Sequence, residues 1–347
     1  MASDRGLPVG TSALATALAT RAAQLTGQIL DGDEVVRLVR LPQVLVPDSP
    51  GPRAPVRLRN GSVHVDLGPD DEESWATLQE VLADENVTDA EDVAVRAQEW
   101  RLAVTPYRTG PPSDVHSPPT DADMAPLGGL RGVRVIDITA MWAGPLCTRL
   151  LADAGASVTK IEPGCRLDGI RSGPGSTPDR PAPMFVALNK GKDIEALDLR
   201  RREDRRRFEK LVAAADLVVD SLSQRARDNL GLSHDELAML NPAIRTLSIP
   251  AFPSDGPQRD WVAYGTGVHA VSGCGWDGEA FVAPEVSYPD PLAGLTAFIG
   301  ALGLLAGEEP AHTEVSLLAS IAPLFGSHIA GPDPDDDDGP LPSRART

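Results

Sequence analysis

The sequence predicts an α/β chain: a doubly wound, mainly parallel sheet, preceded by a smaller N-terminal α+β domain. Three observations predict it. From Gly132 onward, short apolar runs alternate with stretches of helical spacing, and strand–helix–strand alternation calls for parallel strands covered by helices. A segment rich in proline, 109–125, separates this region from a first part with a different pattern. Apolar residues are 41% of the 347 while aromatic residues are only 4%. A sizeable core is therefore available, built mainly from Ala, Val, Leu and Ile. The expected units are 1–108, an N-terminal α+β region; 109–125, a linker; 126–325, the α/β core; and 326–347, an acidic tail.

The N-terminal region opens with helical spacing from Ala13 to Leu30. Two strand-like runs follow, Val35–Val39 and Val56–Leu58. Gly61 to Leu67 alternates with period two, the pattern of a half-buried strand. Glu73 to Leu82 then has helical spacing, with Trp75, Leu78 and Leu82 on one face.

In the core, Gly132–Ile138 is an apolar strand. Ala143-Gly144-Pro145 leads into a helix over Leu146–Ala154, with Pro145 in the first turn, where its missing N–H costs nothing. Gly155 closes the helix and Ser157–Glu162 is the second strand. A loop rich in glycine and proline spans 163–183. Ile194–Leu199 is a strand, Arg201–Ala215 a charged amphipathic helix, and Leu217–Asp220 a buried strand. Leu232–Leu240 is a helix in which Ser233 and Glu236 have capping-box spacing. Arg245–Pro250 is a further strand, and Leu292–Leu305 is an apolar helix rich in Gly and Ala. The aspartate run 335–338, with prolines around it, is expected to be disordered.

The formal net charge of −18 argues against nucleic acid as a main partner, because an acidic surface repels phosphate. It leaves room for one anionic small molecule in a local pocket. Cys147, Cys165 and Cys274 are odd in number and form no CxxC pair. A disulfide framework or zinc site is therefore not expected, and a reducing cytoplasm is. No run of 18 uncharged apolar residues is present, so no membrane span is expected.

Several runs, in order, resemble one family. They are Pro126–Asp137 with Ala143-Gly144-Pro145 and Leu150–Ala156; Leu188-Asn189-Lys190-Gly191-Lys192 with Ala196–Leu199; Ala214–Asp220 with Leu230-Gly231-Leu232 and Leu240-Asn241-Pro242; Ser272-Gly273 and Asp290-Pro291-Leu292-Ala293-Gly294; and Val315–Leu318. These runs resemble the family III (CaiB/BaiF-type) CoA-transferases, a group that also includes acyl-CoA racemases. The resemblance implies a Rossmann-like core and a homodimer. It implies transfer of CoA from an acyl-CoA to a carboxylic acid acceptor, with coenzyme A as part of the substrate and without a metal or redox cofactor. Nucleic acid and membrane are not implied partners.

The family's nucleophile is an aspartate opening an Asp-x-x-x-Gly helix, which here is Asp290. A carboxylate there suits covalent catalysis, in which one hard step is split into easier ones. The residue alone also reads as a helix cap. The family's CoA site uses the loop after the first strand, here Trp142, Ala143 and Gly144, together with Leu188 and Lys192. Trp142 either stacks on adenine or packs in the core. Lys192 either pairs with a CoA phosphate or is a solvated surface lysine. Some expected basic residues are replaced, as by Asp193 and Asn229, and Arg166, Arg225 and Arg227 are candidates to supply their charge. The racemase branch has Gly-His-Asp where this chain has Ala263-Tyr264-Gly265. His269 nearby either orients a substrate or is a packing histidine. Val56–Arg101 resembles the small domain that in the family follows the core, which implies a rearranged order. A non-catalytic acyl-CoA-binding role is the alternative outside enzyme function.

Overall fold

The computed structural model describes residues 6–27, 54–68, 71–118, 124–164, 167–177, 179–307, 310–327 and 329. The expected strand at 35–39, Cys165, Arg166 and the aspartate run lie outside them. Six strands form a wholly parallel sheet: β4 (Arg134–Ile138), β5 (Ser157–Glu162), β6 (Asp193–Ala196), β7 (Leu217–Asp220), β8 (Arg245–Ser248) and β9 (His312–Glu314). Its spatial order is β6-β5-β4-β7-β8-β9. The order reverses between β4 and β7, and in such sheets ligands bind beyond the carboxyl ends of the strands at that point.

Strand side chains alternate between faces, and each face buries its own cluster. Val135, Val158, Leu217 and Val219 point into the larger cluster, with α1 (Thr11–Leu25), α4 (Ala143–Asp153) and α10 (Pro289–Leu305). Ile136, Ile161 and Val218 point the other way, onto Phe208 and Val212 of α6 (Arg202–Val212) and Leu237 of α8 (His234–Leu240). The capping box at Ser233 and Glu236 is formed. Helix α10 is apolar all round and is buried on nearly every residue, as such a helix must be.

A second, antiparallel sheet joins β1 (Val56–Arg57), β2 (Ser62–Val65) and β3 (Val104–Pro106) in that order. It is covered by α2 (Glu72–Asp84) and α3 (Ala90–Glu99) over a small core that includes Val63, Leu78, Leu82 and Val93. Two expectations change here. All four β2 residues are buried, because the strand is covered on both faces rather than one. The region 1–108 is also not one unit: Leu18, Ala22 and Leu25 of α1 join the large core, and the small module comprises residues 54–108. The stretch 109–118 packs back on the molecule rather than running free. The backbone of Gly110 lies so close to Gly273 that a Cβ there would meet it at 2.5 Å.

Between module and core lies α9 (Gly265–Val271), which packs on β2, β3 and α10. Its Gly-Thr-Gly start is a poor helix former, which is why the sequence showed no helix there. The remaining short helices are α5 (Pro183–Leu188), α7 (Gln224–Leu230) and α11 (Leu317–Ser320).

Candidate active site

The loop from β4 to α4 crosses the switch point and is held from behind by buried charge. Asp137, fully buried, accepts from Thr139 Oγ1 (2.5 Å), Thr148 Oγ1 (2.6 Å) and Lys192 Nζ (2.9 Å). Burial works against its ionisation, but Lys192, Lys160 and the two hydroxyls overcome that and hold it at about 2. Lys160 Nζ donates to Thr139 O (2.7 Å) and lies 3.2 Å from Asp168 Oδ2. Asp168 Oδ1 in turn accepts from Met141 N (3.0 Å), fixing Met141 at φ 69°, a region costly for a non-glycine residue. Ala140 N donates to Ser221 Oγ across the strand-order reversal (3.0 Å). Breaking a buried pair such as Lys192–Asp137 leaves an uncompensated charge and costs about 3–5 kcal/mol, so this loop is strongly determined.

Asp290 stands in the first turn of α10 and is 7% exposed. Its Oδ2 accepts from Ser287 Oγ (2.5 Å) and from the N–H of Gly265 (3.2 Å). Only glycine permits the second contact, because a Cβ at 265 would lie 2.2 Å from that oxygen. Burial pushes the carboxyl up to about 6, Ser287 and the amides work to lower it, and the charge of Asp66 adds to the rise. The group is therefore mostly ionised at neutral pH yet more basic than an ordinary carboxylate. The N-cap residue of α10 is Tyr288, whose side chain makes no cap hydrogen bond.

One turn on, Gly294 explains the second half of the Asp-x-x-x-Gly pattern. A Cβ there would meet Ala143 O at 2.7 Å and Leu146 at about 3 Å. The bare glycine lets α10 lie against the first turn of α4, its most extensive helix contact. This ties Asp290 to the Ala143-Gly144 segment.

The five other sequence-predicted site residues gather around that same turn of α4. Ala143 and Gly144 form it. Trp142 precedes it, 5% exposed within the large core, its Nε1–H without an acceptor. Leu188 ends α5 inside the core. Lys192 is no surface lysine: its side chain is 0% exposed and its ammonium donates to Asp137, Asn189 Oδ1 (2.9 Å) and Pro145 O (3.0 Å). Those bonds match its three donors, so pairing with a phosphate would require giving one up.

Among the candidate arginines, Arg227 is buried and pairs with Asp220 at 3.4 Å. Arg225 lines a surface cleft of about 490 Å³ with Arg101, Asp228, Asn229, Arg259 and Trp261. His269 is fully buried, its Nδ1 3.0 Å from Tyr288 Oη and its Nε2 3.0 Å from Val282 O. Burial lowers it to about 4, so it is a neutral packing histidine. Gly265, Ser287, Thr266 and Asp66 were not foreseen. Ser287 lies close enough to Asp290 in sequence to have been suspected; the others carry no local signal.

Among the described residues, no group of three or more His, Cys, Asp or Glu is placed to hold a metal, and no helix is long and apolar enough to cross a membrane.

The profile of CoA-transferase family III matches residues 130–334. An acetyl-CoA:oxalate CoA-transferase of Acetobacter aceti is 33% identical over 201 residues, covering 55% of this chain and 51% of that one. A formyl-CoA:oxalate CoA-transferase of Escherichia coli is 31% identical over 185 residues, covering 52% and 44%. The chain thus spans about half the length of the curated relatives it matches. A solved CaiB/BaiF family protein from Brucella suis aligns with a TM-score of 0.50 at 27% identity, over 56% of this chain and 54% of that one.

Proposed function

With the family profile running over residues 130–334, the chain belongs to CoA-transferase family III, and on that premise we propose that it moves CoA from an acyl-CoA thioester to a carboxylic acid through Asp290. The observation that carries this reading is the carboxylate itself: buried, held on Oδ2 by Ser287 and the Gly265 amide, and one turn ahead of Gly294, which packs on the first turn of α4. With Oδ2 so engaged, Oδ1 is the attacking oxygen. Asp290 attacks the thioester carbonyl, forming a mixed anhydride and releasing CoA thiolate. The thiolate attacks the aspartyl carbonyl and expels the donor acid as its carboxylate, leaving an aspartyl-CoA thioester. The acceptor carboxylate attacks that thioester, giving a second anhydride and thiolate. Attack of the thiolate on the acceptor carbonyl makes the new acyl-CoA and returns Asp290 as a carboxylate. No proton needs to move in the sequence, so the buried, neutral His269 is not required as an acid or base.

The CoA chain is placed along Ala143-Gly144, at the carboxyl end of β4, where small residues allow close approach. Leu188, Lys192 and Trp142 act from behind by fixing that turn. The racemase alternative needs two acid–base groups, and the neutral, doubly bonded His269 is not one. A cytoplasmic homodimer goes with this reading. The test is mass spectrometry after incubation with a panel of acyl-CoAs, trapping with hydroxylamine or borohydride. A modification at Asp290, absent in Asp290→Ala, is expected. Binding of CoA without any adduct would replace transfer by a non-catalytic acyl-CoA-binding role.

A further inference from the structure

The N-terminal module lies outside the matched residues 130–334, yet it reaches the nucleophile. Two consecutive residues at the start of α9 hold two carboxylates: Gly265 N–H donates to Asp290 (3.2 Å), and Thr266 Oγ1 donates to Asp66 Oδ2 (2.5 Å). Asp66 follows β2, and its backbone N–H is tied to Ala103 O (3.0 Å). His64 of β2 puts Nε2 3.6 Å from the same carboxylate oxygen. Two buried polar atoms flank this spot without partners, His64 Nδ1 and Tyr107 Oη. Their rings meet edge to face at 6.2 Å. Buried polar atoms left unpaired are rare and call for a reason, and a module serving only as packing would not need either.

We propose that Asp66 is a positioning residue of the active site: the small module presents its carboxylate to Thr266 so that a second negative charge stands beside Asp290 and sets the charge balance at the nucleophile. The inference rests on the reading of Asp290 as that nucleophile. Two carboxylates at one site disfavour each other's ionised form, and the charge of Asp66 does raise both Asp290 and Tyr107. The other titratable groups around Asp290 are ill-suited to the task. His269 on α9 is buried and neutral, and burial raises Tyr288 and Cys274, so they too are uncharged at neutral pH. His64 Nε2 stands by the same Oδ2 that Thr266 bonds. Asp66 keeps Asp290 a better nucleophile than a carboxylate held by two donors would otherwise be.

The test is a titration of the full chain by NMR of 13Cγ-labelled aspartate, with the Asp290 signal assigned by D290N. The Asp290 midpoint is expected near 6 in the unsubstituted chain. In D66N, which keeps an acceptor for Thr266, it falls by half a unit or more, about threefold in the acid dissociation constant. D66E retains the midpoint, and T266V, which frees Asp66 to turn away, lowers it. T266V decides the matter if D66N does not fold. Midpoints within 0.1–0.2 units of the unsubstituted chain, at about the precision of such titrations, in folded D66N and T266V would overturn the proposal. The same samples are incubated with acyl-CoA across the pH range. A moved midpoint with no adduct keeps the coupling and removes the transferase reading. An adduct with an unmoved midpoint does the reverse.

Discussion

At Asp290 the burial that raises the carboxyl works against stability. Its folded carboxyl is pushed up to about 6, mainly by burial, while in the unfolded chain it ionises near about 3.9. Between those values the folded chain keeps a proton that the unfolded chain has lost, so stability falls as pH rises through 6. The stabilising contribution is complete below about pH 4 and gone above about pH 7, a difference on the order of 3 kcal/mol. Asp290→Asn removes the ionisable group without changing its shape. Thermal melts should therefore show D290N more stable than the unsubstituted chain at pH 7.5 and no different at pH 4. An equal gain at both pH values would mean that the burial cost of the charge is not the cause. The aspartate was legible as a candidate only through the family resemblance, since on position alone it also reads as a helix cap. Its donor Gly265, 25 residues away, was not, since nothing in a Gly-Thr-Gly run says which carboxylate it will meet. The surroundings of Lys192 are illegible for a related reason: the sequence leaves phosphate pairing and a surface place both open, and only the fold brings Asp137, 55 residues earlier, against it.

The decisive element is the contact between α10 and α4. Gly294 places the backbone of α10 against Ala143 O, so the helix that carries Asp290 packs directly on the switch-point segment. Gly294→Ala tests this directly. Alanine favours a helix by about 1 kcal/mol over glycine, but overpacking costs about 1–3 kcal/mol, and here the obstacle is a backbone carbonyl. The expected result is a net loss of up to about 2 kcal/mol in urea unfolding, with a fall in Asp290 adduct formation larger than the stability loss explains. A variant more stable than the parent and fully reactive would show that the two helices can slide apart without harm. Element by element, the sequence was read well where the signal was local. Strand β5 matches its expected bounds, and the capping box of α8 formed where Ser233 and Glu236 stand. Short pieces escaped: α5, α9, β3 and β9 are too brief to display a period.

At the scale of the molecule, the question is what holds the small module to the core with Asp66 in place. Gln98 of α3 spans the seam: its Nε2 donates to Val262 O (2.9 Å) and to Val104 O (3.1 Å), and its Oε1 accepts from Val262 N (2.7 Å). It is 6% exposed, so truncation leaves buried backbone groups unpaired, each costing about 1–3 kcal/mol. Gln98→Ala should speed backbone hydrogen exchange in β1–β3 while leaving β4, β5 and β7 protected, which mass-resolved exchange would register. Uniform loosening of both sheets would instead mean that the module and core unfold as one. The sequence by itself determined the parallel sheet and the capping box, because strand period and capping are short-range properties, and its resemblance to the family singled out Asp290 as the candidate nucleophile. Only the tertiary structure decided that α1 belongs to the core, that Lys192 is spent inside it, and that Asp66 and Asp290 share neighbouring residues of α9. Thr266 and Asp66 are 200 residues apart, and contacts at such separation depend on how whole elements pack, which no local pattern encodes.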